Sequence, residues 1–394
     1  MSSDKPNVIY ILSDEHRGQA MGHMGDPNLR TPAMDALAAG GVSFSRAYAN
    51  CPICTPSRGT IFSGRHAHSG PVAGFFDNYK INAPSTATVL RAAGYHTAYY
   101  GKWHCGIVRD QRPPEVVQHP DEYKGCSSRT PERHRAGFED WRGFENLNQH
   151  FASYYYCDDD INPTKTPGYE TDGLTDLVID YLREYDRDEP LFLVLSVTPP
   201  HFPLIVPDEW KRFDPAGLEV RPNFTDTPEM RERLANYYAM IENLDHNIGR
   251  LMQAIRELPK FSNTLTSYIS DHGDFMGSHS RHSRKEHPHE KSVRIPGDIQ
   301  LAGPHTRARR HRRAVQPGRP AADHAGAAER GGAAARAGHR LLAGGAGRGV
   351  RRAAGSADGD GGQPAVEPRF PRLARIRRRA MEVCLLRKRQ GAAV

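Results

Sequence analysis

Two hydrophobic periods alternate along the first three quarters of the chain. Four apolar runs are short, continuous and rich in β-branched or aromatic residues: "NVIYIL" (7–12), "YHTAYYGKWHCG" (95–106), "PLFLVLSVT" (190–198) and "TLTSYIS" (264–270). Such runs predict strands buried on both faces. Between them, apolar positions recur every three or four residues. "STATVLRAAG" (85–94) predicts a helix closed by Gly94, and "DGLTDLVIDYLREY" (172–185) predicts one with Leu174, Leu177, Val178, Tyr181 and Leu182 on a single face. From Pro228 to Leu258 the positions Met230, Leu234, Tyr238, Ile241, Leu244, Ile248, Leu251, Ile255 and Leu258 predict one helix, roughly 45 Å long. Strands alternating with helices predict an α/β fold on a doubly wound, mainly parallel sheet. Residues 107–150, rich in Pro, Arg and acids and without a clear period, predict a long surface excursion.

The pattern stops near Pro296. Residues 297–394 are about three-fifths Ala, Gly and Arg and hold no strand-like apolar run. They carry 21 Lys and Arg against 7 acids, which leaves 32 against 39 in residues 1–296, so the basic balance of the whole chain belongs to its tail. The expected organisation is a catalytic domain over 1–296 and a tail over 297–394 that is disordered or read out of frame. GC-rich coding sequence shifted by one base yields this composition. The tail lacks the interleaved aromatics of a single-strand binder and any helix-turn-helix pattern, so no nucleic-acid partner is expected.

Six cysteines, at 51, 54, 105, 126, 157 and 384, form no paired framework and point to a reducing compartment. The start "MSSDKPNVIYILSDEHRG" has no basic region or cleavage-like site, and no run reaches the 18 to 20 apolar residues of a membrane span. The expectation is a soluble, cytoplasmic protein with no membrane contact.

Polar residues cluster where the predicted strands end. Asp14 and Glu15 follow one strand, and Asp271 and His272 follow another. Ligands gather at the carboxyl ends of strands in open parallel sheets. Carboxylates with one imidazole suit Ca²⁺, Mg²⁺ or Mn²⁺; taken singly, "SDE" also reads as a helix cap and "DHGD" as a turn. In "NCPICTPSRGTIFSGR" (50–65), Pro56 fits the first turn of a helix, which places Cys54 at its N-terminus. A thiol there is acidified by orphan N–H groups and the helix dipole, which suits a nucleophile and a Cys51–Cys54 redox dithiol alike. Zinc is the weakest option, because no second C-x-x-C or spaced Cys/His pair is present. Arg58 and Arg65 point to an anionic substrate. Lys102 and His104 in "GKWHCG", His201 in "TPPHFP" and Lys285 beyond "DHGDFMGSH" would each pass as surface groups alone. Together at strand ends they suggest an anion site built around a metal.

These segments carry a resemblance. "CTPSRGTIFSGR" resembles the signature of the type I sulfatases, which belong to the alkaline phosphatase-like superfamily. "NVIYILSDEHR", "GKWHCG", "TPPHFP", "NYYAMIENLDHNIGRL", "NTLTSYISDHGDFMGSH" and "KEHPHEKSVRIP" follow in that family's order, over residues 7 to 296. The resemblance implies that a formylglycine-generating enzyme oxidises Cys54, and not Cys51, to Cα-formylglycine. One hydroxyl of the aldehyde hydrate then attacks sulfur, and deprotonation of the other expels sulfate. It further implies that Asp14, Glu15, Asp271 and His272, with residue 54, bind one divalent ion, Ca²⁺ first and Mg²⁺ or Mn²⁺ as alternatives. By the same carry-over, Arg58 holds the hydrate, Lys102 and Lys285 bind sulfate oxygens, His104 takes the second hydroxyl's proton, and His201 protonates the leaving oxygen.

Two departures matter. The family usually has two adjacent aspartates where this chain has Asp14-Glu15, and phosphonate and phosphodiester hydrolases share the scaffold with a single leading Asp. Family members also continue past the "RIP" strand with a smaller C-terminal subdomain, which is expected to be missing or scrambled here. The expected function is hydrolysis of a small-molecule or saccharide sulfate ester. The alternatives are a phosphonate monoester or phosphodiester hydrolase, or an inactive frameshifted sulfatase product. Oligomeric state is not readable.

Overall fold

The computed structural model describes residues 5–106, 129–160, 162–279 and 285–302. The chain opens with β1 (Asn7–Ser13), buried except at Tyr10. Helix α1 (Pro32–Ala39) follows, then the two-residue strands β2 (Val42–Ser43) and β3 (Ala47–Tyr48), then α2 (Cys54–Ser63). Next come α3 (Thr86–Ala92), β4 (His96–Lys102), β5 (Asp140–Phe144), β6 (Tyr154–Cys157) and β7 (Thr164–Lys165). Helix α4 (Glu170–Glu184), β8 (Leu191–Ser196), α5 (Pro228–Glu257) and β9 (Thr264–Ser270) continue the alternation. The described part ends with α6 (Glu290–Val293), β10 (Arg294–Ile295) and β11 (Gly297–Ala302).

Nine of these strands form one sheet in the order β2-β11-β9-β1-β8-β4-β5-β6-β7. The inner strands β9, β1, β8, β4 and β5 are mutually parallel, and β11, β2, β6 and β7 add antiparallel edges. Parallel pairing aligns the carboxyl ends of β1, β4, β8 and β9 along one rim, where ligand sites form in open sheets.

Alternation of side chains decides what each face buries. Ile9 and Ile11 of β1 and Leu191, Leu193 and Leu195 of β8 pack in one core with Leu174 and Val178 of α4 and Leu244 and Leu251 of α5. Val8 and Leu12 of β1 and Phe192 and Val194 of β8 point the other way, to Phe62 of α2 and Ala87 of α3. Helices therefore cover both faces, as a doubly wound sheet requires. Local signals start the helices: Ser85 and Thr88 form a reciprocal capping box on α3, and Thr227 caps α5 ahead of Pro228 at its first turn. The long helix predicted over 228–258 is a single α5 of 30 residues.

Two sequence expectations are corrected. The stretch 107–150 holds β5, paired in register with β4 through Tyr99↔Trp141 and Gly101↔Gly143, so its latter part is sheet and not surface excursion. Arg142 breaks the apolar run that would have marked the strand; its guanidinium lies 5.3 Å from the Tyr100 ring and donates to that hydroxyl at 2.9 Å. The strand β11 lies beyond the limit expected at Pro296, pairing with β9 from Gly297↔Ile269 to Ala302↔Thr264. Asp298 and Gln300 interrupt its apolar residues, and Asp298 is buried against His23 at 3.4 Å. The expectations for the rest of the tail, and for a C-terminal subdomain, fall outside the described residues. Among the described residues, no helix is long and apolar enough to cross a membrane.

Candidate active site

The rim formed by the carboxyl ends of β1, β9, β4 and β8 collects the polar residues that the sequence placed at strand ends. Asp14 and Glu15 directly follow β1, and Asp271 and His272 directly follow β9; all four are buried. Their loops are tied to each other, since Glu15 N–H donates to Asp271 Oδ1 at 3.3 Å and Asp271 N–H to Ser13 O at 3.1 Å. Helix α2 brings in Cys54 as its first residue, after Ile53, which offers no side-chain cap. The unsatisfied N–H groups of that turn favour negative charge at residue 54.

The Cys54 thiol sits at the centre. It lies 3.2 Å from His272 Nε2 and 3.6 Å from Asp14 Oδ1, and Lys285 Nζ approaches it at 3.2 Å. One turn along α2, buried Arg58 donates to Asp271 Oδ2 at 2.9 Å, to Lys102 O at 2.8 Å and to Ser196 Oγ at 2.9 Å, with Asp14 Oδ2 at 3.4 Å. Lys102 Nζ pairs with the same Asp14 oxygen at 2.6 Å. The second Asp14 oxygen is thereby left toward Cys54 and His272. Gly101, at φ +99°, lets β4 approach β8 here; a Cβ would meet Ser196 O at 1.9 Å.

Glu15 binds a different set. Its Oε1 accepts from Lys285 Nζ at 2.5 Å and stands 3.2 Å from His201 Nε2. His201 is held from behind, its ring Nδ1 near its neighbour's Phe202 O at 2.5 Å and its carbonyl accepting from His150 Nε2 at 3.0 Å. His104 is half-buried near Cys54 with a left-handed backbone, φ +49°, and its ring meets Phe75 edge-on at 5.5 Å.

Charge in this enclosure separates the titratable groups. Burial pushes the Cys54 thiol up, but Lys285 and His272, with hydrogen bonds from His104 and His201, carry it well below its ordinary value. Burial and Cys54 raise Asp14, and Lys102, His201 and Arg58 outweigh them and hold it below the usual carboxylate range. Burial and Asp14 push Asp271 up to about 6. Burial lowers His104 to about 4, leaving it neutral, whereas His201 is raised against its burial by Glu15. Two imidazoles pushed in opposite directions are the pattern of a base and an acid.

Asp14, Cys54, Asp271 and His272 offer ligand atoms that all lie within 4.8 Å of one another, and Asp14, Glu15 and His201 form a second such group. Two carboxylates and an imidazole around a buried centre fit a divalent cation. The structure thus brings together Asp14, Glu15, Cys54, Arg58, Lys102, His104, His201, Asp271, His272 and Lys285. Glu15 stands with His201 and Lys285, outside the group around Cys54. Cys51 is half-buried, and burial raises its thiol. The site also uses residues not singled out from sequence. Ser57 Oγ donates to Asp271 O at 2.5 Å, Ser196 Oγ to Lys102 O at 2.8 Å, and Glu170 accepts from Thr198 N–H at 2.7 Å. Only Ser57, inside "CTPSR", had a local signal.

Comparison with known proteins places this arrangement. A family model described as Sulfatase matches residues 6–299. The chain is similar to an ulvan-active sulfatase of Formosa agariphila, 34% identical over 76% of this chain and 57% of that protein. It is also similar to an arylsulfatase of Clostridium perfringens, 30% identical over 74% and 68% of the two. The chain thus spans little more than half the length of the first relative. A solved structure concerned with the metabolism of multiple glycosaminoglycans by Bacteroides thetaiotaomicron superposes with TM-score 0.70 at 25% identity, over 76% of this chain and 68% of the other. A phosphonate monoester hydrolase of Agrobacterium radiobacter shares the fold, with TM-score 0.59 at 22% identity over 75% and 68%.

Proposed function

This chain belongs to the sulfatase family, and from that premise we propose that it hydrolyses an organic sulfate ester with residue 54 as the nucleophile. The observation that supports this most is the buried Cys54 at an uncapped helix N-terminus, faced by Asp14, His272 and Lys285. Its thiol stands where a formylglycine made by a formylglycine-generating enzyme would place an aldehyde. Such an aldehyde, hydrated, would supply one hydroxyl to attack sulfur as the bond from sulfur to the ester's alcohol oxygen breaks, and another whose deprotonation would release sulfate and restore the aldehyde. Asp14, Asp271 and His272, with residue 54, would hold a divalent ion, Ca²⁺ in our reading, which when bound supplies Lewis-acid polarisation of sulfate oxygens.

The protein's own groups divide the remaining work. Lys102 and Lys285 bring positive charge to the anionic group and compensate charge that grows in the transition state. Arg58, fixed by four oxygen partners, holds the residue-54 side chain in place from the next turn of α2. His104, kept neutral by burial, accepts a proton at its ring nitrogen. His201, kept protonated by Glu15, delivers one to the leaving oxygen. Glu15 in this reading is the partner of that acid and of Lys285 more than a metal ligand. The substrate class we infer is a sulfated saccharide, by similarity to the ulvan-active sulfatase.

The same placement of Glu15 supports a second reading, a phosphonate monoester or phosphodiester hydrolase, because it leaves one leading aspartate in the group around Cys54. Turnover of a nitrophenyl sulfate is compared with its phosphodiester and phosphonate counterparts. A sulfatase prefers the first in kcat/KM; preference for either of the others overturns the sulfate reading.

A further inference from the structure

Three histidines, 104, 201 and 272, share hydrogen bonds with Cys54, and the fold holds their rings by different means. His201 Nδ1 lies 2.5 Å from Phe202 O, and His272 Nδ1 lies 2.8 Å from Gly273 O. In both, a backbone carbonyl fixes which nitrogen carries the proton and where the other one points. His104 has no such anchor: its Nδ1 is buried without a hydrogen-bond partner among the described residues. Its backbone is also left-handed, a conformation that few residues other than glycine adopt. Something other than a polar partner has to stop this ring from turning about its side-chain bonds.

Phe75 meets the His104 ring at a centroid distance of 5.5 Å, with the two planes at 87°. Edge-to-face ring pairs have a preferred orientation, so each resists rotation of the other. Phe76 packs edge-on against Phe75 in turn, at 5.1 Å. The loop 72–79 that carries the pair is fastened at three points. Val72 is buried on α2, where a Cβ on Gly59 would meet its side chain at 2.5 Å. Asp77 Oδ2 accepts from the N–H groups of Ala73 and Gly74, each at 2.9 Å, which closes the turn around Phe75. Tyr79 N–H donates to Cys105 O at 2.6 Å, one residue beyond His104. Phe75 is nevertheless 42% exposed, so burial in the core does not account for a phenylalanine at the tip of this loop.

We propose that Phe75 is a positioning residue that holds the His104 ring toward residue 54 for the release of sulfate. The inference rests on the reading of His104 as the base of that half of the reaction. There the remaining hydroxyl on residue 54 gives its proton to His104, and the electron pair of that O–H bond forms the carbon–oxygen double bond. The carbon–oxygen bond to sulfate breaks, its pair leaves with the sulfate, and His104 passes the proton to water. The alcohol has already departed with a proton from His201, whose ring is held by Phe202 O. Phe75 therefore acts on the second half of the reaction and leaves the first untouched.

The test compares Phe75→Ala, Phe75→Tyr and His104→Ala in the full chain with a nitrophenyl sulfate. Slowing the second half alone lowers kcat and KM together and leaves kcat/KM, which ends at nitrophenol release, unchanged. Phe75→Ala should lower kcat and KM each about ten- to a hundredfold, as for a reacting group displaced by about an ångström. It should also give a burst of about one nitrophenol per active site, and protein quenched during turnover should carry the mass of bound sulfate at residue 54. Phe75→Tyr, which keeps the ring, should restore the parent values. A further readout needs no turnover: in crystals of the unmodified Cys54 chain, Phe75→Ala should turn the His104 ring or leave it in two orientations. A fall in kcat/KM makes Phe75 a substrate contact, and an unmoved His104 ring makes it a bystander; either result overturns the proposal. His104→Ala separates this failure from failure of the base. If His104→Ala accumulates no sulfated protein, the base assignment falls and the proposal with it; accumulation there and none in Phe75→Ala overturns the positioning role alone.

Discussion

The two faces of the sheet follow one alternation and bury different chemistry. The face under α4 and α5 is mainly aliphatic, with Ile9, Leu193 and Leu195 meeting Leu174, Val178 and Leu244. The face under α2 and α3 is a set of rings in which Phe62, Tyr99, Trp103, Phe138 and Trp141 contact one another at centroid distances from 4.9 to 6.2 Å. Aliphatic cores tolerate repacking, whereas ring pairs prefer defined orientations. Phe62 belongs to α2, the helix that carries Cys54 and Arg58. The aromatic face therefore positions the reactive helix, and the aliphatic face supplies bulk stability. The same lesson holds for two cysteines there. Cys54 and Cys105 are equally buried, yet Cys54 is lowered by cations and Cys105 is raised by burial, so neighbours and not burial set reactivity.

The largest effect should separate those two thiols. Cys54→Ala is expected to lower turnover of a nitrophenyl sulfate on the order of 10⁴-fold, as for removal of a nucleophile. Cys105→Ala should keep turnover and cost about 1–2 kcal/mol in urea unfolding. Equal losses of activity would break the distinction. A chelator should act on the site and on neither face: we expect turnover to fall on the order of 10³-fold, to return with added Ca²⁺, and the far-ultraviolet circular dichroism to stay unchanged.

The faces are compared directly by Phe62→Ala and Leu182→Ala. Each should destabilise, the first by about 3–5 kcal/mol and the second by about 2–4 kcal/mol. Only Phe62→Ala should also lower kcat of the folded protein, because only it loosens α2. A matching fall in kcat for Leu182→Ala would refute the division of labour.

The smallest effect lies beside β11, next to the sheet's β2 edge. Burial opposes a charge on His23, but the hydrogen bonds that its ring donates to Asp298 and Asp35 outweigh it and raise the group to about 9. Its folded value lies above the unfolded one, near 6.5. The stabilisation is therefore full below about pH 6.5 and is lost as pH rises through 9. His23→Asn should cost about 1 kcal/mol at pH 6, allowing for solvent screening, and the gap should close toward pH 10. A gap that is constant with pH would assign the contact to packing.

Legibility in the sequence followed the continuity of apolar runs. β1, β4, β8 and β9 and the helices α3, α4 and α5 were readable because burial on both faces, or on one helical stripe, leaves a local pattern. β5 and β11 were not, because Arg142 and Asp298 break their runs and find partners far away, at Tyr100 and His23. The acids, histidines and lysines of the site were readable from strand-end positions. Ser196 and Glu170 were not, because an ordinary serine or glutamate gains its place only when β8 lies beside β4 and α4 lies beside the loop after β8. Glu15 was placed among metal ligands by its neighbour Asp14; its contacts with Lys285 and His201 arise across the fold.

The most direct test of the central claim is the mass of the peptide containing residue 54 from enzyme whose specific activity has been measured. An aldehyde in place of the Cys54 thiol, in an amount that rises in proportion to specific activity across preparations, is the predicted result. Fully active enzyme that retains an unmodified thiol at residue 54 would contradict it.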